Sequence, residues 1–125
     1  MVVGLGVDIV QNDRIVGVIE KWGKKFLYKF FSDNEINALS TTKNKDQRLA
    51  ANYAAKEAFV KAMGTGFRSG MKFKYIEINR DNLGKPYIDT HGKVKEAITK
   101  KGINNIHLTI SHEKDYSVAV VIFED

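Results

Sequence analysis

The sequence predicts an α+β fold in a single domain spanning residues 1–125, with helices packed on a mainly antiparallel sheet. Helical periodicity dominates its first half, whereas the second half carries two hairpins whose strands are joined by short polar turns. A length of 125 residues suits one hydrophobic core and leaves no room for a second.

The elements follow in order. Val2 to Val10 alternates as a strand, with Val3, Leu5, Val7 and Ile9 on one face and Gly4, Gly6 and Asp8 on the other. Asp13 is placed to cap a helix running to about Lys24. Ser32-Asp33-Asn34-Glu35 has the spacing of a capping box and opens a short helix through Leu39. After the loop from Ser40 to Lys45, a long helix runs from about Asp46 to Met63. Tyr75 to Arg80 and Pro86 to Asp89 form a hairpin across Asp81-Asn82-Leu83-Gly84-Lys85. Lys93 to Lys101 is a helix stopped by Gly102. Ile106 to Ser111 and Tyr116 to Phe123 close the chain as a second hairpin across His112-Glu113-Lys114-Asp115.

Composition removes whole classes of chemistry. The chain has no cysteine, which excludes disulfides, thiolate metal sites and a cysteine nucleophile. No basic segment precedes the first apolar residues and no apolar run is long enough to span a bilayer, so a cytoplasmic protein with no membrane partner is expected. Twenty basic against 15 acidic residues leave a net charge of +5, which points to an anionic partner.

Three features carry chemistry. On the long helix, Leu49, Tyr53, Val60 and Met63 form an apolar stripe, and Lys56 falls inside it. Glu57 and Lys61, spaced i,i+4, lie together at its edge, where Ala50 and Ala54 leave room for a ligand. Such a pair reads equally as an ordinary helical ion pair, with Lys56 snorkelling to water. Asp8 is the second feature. Aspartate is depleted from strands, and with Gly4 and Gly6 beside it another element or an ion can approach closely. Asp8 and Glu57 together, with no histidine or thiolate between them, suit a hard cation such as Mg²⁺ that takes its remaining oxygens from water and substrate phosphates. His112 is the third, at the end of a strand where it enters a polar turn. Gly64-Thr65-Gly66 is either a helix C-cap or a phosphate-approaching turn. Charge and carboxylates together leave two other readings open: a Mg²⁺-dependent nucleotide phosphohydrolase, and a small nucleic-acid-binding domain using Phe73, Tyr75 and Tyr87.

Taken in order along nearly the whole chain, Gly6-Val7-Asp8, the run from Ala54 to Gly66 (AAKEAFVKAMGTG), Gly84-Lys85-Pro86 and Ile110-Ser111-His112 resemble the holo-[acyl-carrier-protein] synthase family of 4′-phosphopantetheinyl transferases. The resemblance implies transfer of the phosphopantetheine arm of coenzyme A to a serine of apo acyl carrier protein, in fatty acid biosynthesis. It also implies a homotrimer with coenzyme A bound between subunits, and no nucleic-acid partner. By the same resemblance, Asp8 and Glu57 hold Mg²⁺, Lys56 and Lys61 neutralise phosphate oxygens, and Lys61 shares in catalysis. Gly64 and Gly66 let backbone N–H groups approach a phosphate, Lys85 and Pro86 line the adenine end, and His112 contacts the phosphate region. Arg14 and Lys21 match the family's basic surface for the carrier protein. One departure stands out: where the family commonly has an arginine on the 3′-phosphate, this chain has Asn52, leaving Arg48 or Arg68 to supply the charge. Glu57 and a metal-bound water are the two candidates to take the serine proton.

Overall fold

The computed structural model describes residues 1–68 and 70–125 and is α+β. The chain runs β1 (Val2–Gln11), α1 (Asn12–Phe30), α2 (Asp33–Ala38), α3 (Lys45–Met63), β2 (Ile76–Arg80), β3 (Pro86–Thr90), α4 (Gly92–Lys100), β4 (Asn105–His112) and β5 (Tyr116–Glu124). Single 3₁₀ turns precede α3 and β2. Two antiparallel sheets form, one in the order β1-β5-β4 and one of β2 and β3 alone.

Predicted and observed elements coincide closely, with one physical difference at α1. Gln11 is the N-cap and makes no side-chain cap bond, so Asp13 acts from within the first turn rather than as the cap. The helix also continues to Phe30, but it is broken at Gly23, whose φ of 63° and ψ of −147° suit glycine alone. At α2 the capping box is complete: the Ser32 hydroxyl accepts from the Glu35 N–H and Glu35 accepts from the Ser32 N–H.

Helix α3 is the centre of the molecule. It lies across the inner face of the three-stranded sheet, with α1 beside it and the β2-β3 hairpin near its first turns. The predicted apolar stripe is therefore corrected: Ala50, Ala51, Ala54, Ala55, Ala58, Phe59 and Ala62 are all buried, and beyond the first turn only a strip of Tyr53, Glu57, Val60 and Lys61 reaches solvent. Alanine dominates because the strands come too close for anything larger. A Cβ on Gly6 would stand 1.9 Å from the Ala58 carbonyl oxygen, and one on Gly4 would stand 2.6 Å from that of Ala62. The room predicted beside Ala50 and Ala54 is thus filled by protein, and Gly4 and Gly6 admit a helix.

Burial on β1 inverts the usual rule. Its glycine and aspartate face looks inward, whereas Val3, Leu5, Val7 and Ile9 are 50–65% exposed. Register extends this face across β5, where Leu5, Val7 and Ile9 stand opposite Ile122, Val120 and Val118. Among the described residues no helix is long and apolar enough to cross a membrane.

Candidate active site

Asp8 reaches α3 because β1 runs beside the helix, held close by Gly4 and Gly6. Its Oδ1 accepts from Lys61 Nζ at 3.1 Å, and the same ammonium donates to the Val7 carbonyl at 3.1 Å. Glu57 lies one turn before Lys61. Asp8, Glu57, Tyr53, Arg14 and Val18 line a cleft of about 260 Å³ between β1, α1 and α3. Burial raises the Glu57 carboxyl above its usual range, and the Asp8 charge adds to that, while Tyr53 and Lys61 oppose it. Two carboxylates in one cleft, one raised partly by the other, form an oxygen-only donor set that a divalent cation would relieve. Among the described residues no group of three His, Cys, Asp or Glu converges. The set therefore fits a cation that keeps waters and shares substrate oxygens, as Mg²⁺ does.

Lys56 is not in this cleft. It is wholly buried, and its ammonium donates to Glu35 Oε1 at 2.7 Å, the Phe73 carbonyl at 2.9 Å and the Ile76 carbonyl at 2.6 Å. An ammonium has three protons, and all three are taken. Lys56 consequently neither snorkels nor faces a phosphate: it ties α2 and the backbone before β2 to α3. Glu35, which the sequence offers only as a capping residue, is the buried counter-ion. Burial pushes Glu35 up and Lys56 down, and each partner opposes the other's shift.

A second and larger cleft, of about 950 Å³, opens at the first turns of α3. It is lined by Lys43, Lys45, Arg48, Arg80, Gly84 and His112, among others. Arg48 and Glu57 are nine residues apart on α3, about 14 Å along its axis, so the two clefts are distinct. His112 is placed there because its turn is tied down: the buried Asn12 amide donates to the Glu113 and Lys114 carbonyls, and Gln47 donates to that of Glu113. Asn52 is also buried, and its Oδ1 accepts from Arg80 Nη1 at 3.1 Å. Arg80 is the functional candidate that the sequence reading missed. Only its position at the end of β2, in register with Pro86 at the start of β3, could have drawn attention to it.

The remaining candidates divide. Gly64 is the left-handed C-cap of α3 and Gly66 also has positive φ, both in open space after Lys61. Gly84, rather than Lys85 or Pro86, lines the large cleft; Lys85 is exposed and Pro86 begins β3. Arg14 and Lys21 are exposed on α1, with the Lys21 ammonium 5.4 Å from the Trp22 ring centre. Arg68 is exposed on the loop after α3 and is not among the residues lining the large cleft. Phe73 stacks on Phe30 and meets Phe67, so the aromatic surface of a nucleic-acid-binding sheet does not form.

Comparison with known proteins gives one family. The family model of the 4′-phosphopantetheinyl transferase superfamily matches residues 4–121. A holo-[acyl-carrier-protein] synthase of Halothermothrix orenii is 42% identical over 125 residues, covering 100% of this chain and 99% of that protein. The crystal structure of holo-[acyl-carrier-protein] synthase from Neisseria meningitidis superposes with a TM-score of 0.93 at 34% identity, covering 100% of both chains. The Helicobacter pylori holo-[acyl-carrier-protein] synthase, solved in complex with coenzyme A, gives a TM-score of 0.83 at 31% identity, covering 96% of this chain and 99% of that one. With this likeness running end to end through both clefts, the chain belongs to the 4′-phosphopantetheinyl transferase superfamily.

Proposed function

We propose that this protein, acting as one transferase domain over residues 1–125, moves the 4′-phosphopantetheine arm of coenzyme A onto a serine of apo acyl carrier protein. The products are holo acyl carrier protein, for use in fatty acid biosynthesis, and adenosine 3′,5′-bisphosphate. The observation that carries the reading is the joining of Asp8 and Glu57 in one cleft, with Lys61 bonded to Asp8. The serine hydroxyl gives up its proton to Glu57 or to a water as its oxygen forms a bond to the phosphorus bearing the pantetheine arm. The bond from that phosphorus to the bridging oxygen breaks, and the bisphosphate leaves with its electron pair. Such a transfer needs positioning and charge stabilisation rather than a nucleophile on the enzyme.

Asp8 and Glu57 would hold Mg²⁺, which supplies positive charge to the pyrophosphate when bound. Lys61 fixes the Asp8 carboxylate through its bond to Oδ1 and, being more than half exposed, can turn its remaining proton to a phosphate oxygen. Gly64 and Gly66, beyond the end of α3, leave backbone N–H groups approachable by an anion. The cationic cleft around Arg48, Arg80 and His112 suits the nucleotide end of the donor. Arg14 both lines the carboxylate cleft and begins the exposed basic face of α1 on which an acidic carrier protein would dock.

The outward face of β1 and β5 supports a homotrimer, since a strand carrying Leu5 and Ile9 at 64% and 65% exposure is suited to cover by further copies. Sedimentation velocity would give one species of three chains, and Leu5→Glu would dissociate it. Lack of cysteine accords with a cytoplasmic enzyme.

The test is to incubate the protein with Mg²⁺, coenzyme A and apo acyl carrier protein and weigh the carrier by mass spectrometry. Addition of one phosphopantetheine supports the transferase. An unchanged carrier with hydrolysed coenzyme A would instead establish the phosphohydrolase, which uses the same carboxylates but attacks with water.

A further inference from the structure

A third cleft, of about 510 Å³, shares no lining residue with either cleft described above. Its walls are apolar: Phe26 and Phe30 come from the last turns of α1, and Phe67, Met71 and Phe73 from the segment between α3 and β2. The rings hold one another in place. Phe30 stacks on Phe26 with ring centres 5.4 Å apart and on Phe73 at 4.3 Å, and Phe67 meets Phe73 at 4.4 Å. Behind them the Lys56 ammonium donates to the Phe73 carbonyl at 2.9 Å and stands 5.8 Å from the centre of the Phe30 ring, so this wall is fixed to the buried ion pair.

The rim is cationic. Lys29, Lys72 and Lys74 complete the lining, and no carboxylate joins them. Among the described residues none of these three lysines takes part in an ion pair; the Lys72 ammonium lies instead 5.8 Å from the centre of the Tyr75 ring. An apolar groove rimmed by charge of one sign is complementary to a ligand that is apolar along its length and anionic at one end. Ammonium groups act as point charges without a fork, so a single carboxylate satisfies them. The volume favours a small molecule over one side chain of a docked protein, since it falls within the roughly 300–1,000 Å³ of small-molecule sites. The rings of Phe26, Phe30 and Phe73 stack in series at interplanar angles of 17° and 18°, a row that an unbranched hydrocarbon chain can follow.

We propose that this groove binds one molecule of a fatty carboxylate, its unbranched chain laid along Phe26, Phe30 and Phe73 and its head among Lys29, Lys72 and Lys74. The site goes beyond the transferase reading above and does not depend on it. It lies one ring away from the carboxylate cleft, because Phe30 also stacks on Tyr53 at 4.9 Å and Tyr53 lines that cleft.

Isothermal titration of the full chain with sodium dodecanoate, kept below its micelle-forming concentration, tests this. One molecule per chain is expected to bind, at least tenfold more tightly than dodecyltrimethylammonium, which has the same chain and the opposite charge. Decanoate should bind about tenfold more weakly than dodecanoate, since two fewer methylenes leave water. Met71→Glu puts a carboxylate into the groove and should weaken dodecanoate at least tenfold. Lys29→Glu with Lys72→Glu should abolish its preference over dodecyltrimethylammonium. Met71 is half-buried and both lysines are exposed, so these variants are expected to fold, and circular dichroism checks that they do. Equal binding of the two amphiphiles by wild type, or wild-type dodecanoate affinity in both variants, would overturn the proposal. So would a wild type that binds no dodecanoate while Met71→Glu loses affinity for the carrier protein, since the groove would then belong to the carrier. These titrations need no transfer activity, so this inference and the transferase reading fail separately.

Discussion

Lys56→Met keeps the length and apolar stem of the side chain and removes only the ammonium, so it isolates what that charge does. In the native protein the ammonium meets Glu35 Oε1 and two main-chain carbonyls, and the side chains of both ionic partners are almost wholly buried. Glu35 has little else to lean on. The Ser32 N–H shares Oε1, and Oε2 has no partner among the described residues. Breaking a buried pair from one side costs about 3–5 kcal/mol, because the surviving charge must stay unpaired or take up a proton. Stranding the Phe73 and Ile76 carbonyls adds to this. Against a total stability of about 5–15 kcal/mol the loss is large, and for a chain of this size it corresponds to a melting temperature lower by about 10–20 °C. Thermal denaturation followed by circular dichroism measures it. Lys56→Met with Glu35→Leu is expected to recover part of the loss, since no lone charge is then buried. Below its melting transition, Lys56→Met should retain its KM for coenzyme A within a few fold. A variant that melts like wild type but has lost coenzyme A affinity would refute this account and return Lys56 to the phosphates.

Asp8→Ala and Glu57→Gln are each expected to abolish most transfer while leaving the far-ultraviolet spectrum intact, because both carboxylates line an open cleft; near wild-type turnover at modest Mg²⁺ in either folded variant removes that residue from the ligand set. Arg14→Glu should raise the KM for acyl carrier protein far more than that for coenzyme A, with a weaker salt dependence than wild type. Trp22, the chain's sole tryptophan and 61% exposed on the same helix, gives a binding signal for that titration, and an equal rise in both KM values would move Arg14 out of carrier docking. Gly6→Ala should cost about 2–3 kcal/mol, because its Cβ would meet the Ala58 carbonyl at 1.9 Å and backbone cannot rotate aside; an unchanged denaturation midpoint would show that β1 is free to lift from α3.

Much of this was legible in the chain itself. Period-two alternation placed β1, apolar runs joined by a short polar turn placed β4 and β5, and the Ser32–Glu35 spacing placed a capping box whose two hydrogen bonds form. Asp8 stood out because a carboxylate inside a strand, on the same face as Gly4 and Gly6, is locally expensive, and Glu57 and Lys61 because their spacing puts them together on one side of the helix. These are signals written in neighbouring residues. What the tertiary structure alone decided concerns direction and depth. Lys56 looked like a phosphate ligand in sequence, yet its helix is surrounded on nearly every side, so the same residue turns into the core and takes a counter-ion 21 residues away. The apolar face of β1 points outward, because only the glycine face lets α3 approach. Arg80 carried no signal beyond its place at a strand end, since its meeting with Asn52 joins that strand to a helix residue 28 positions earlier. Periodicity says which residues share a face; which face is buried, and what lies across from it, depends on contacts between distant segments that no local pattern encodes.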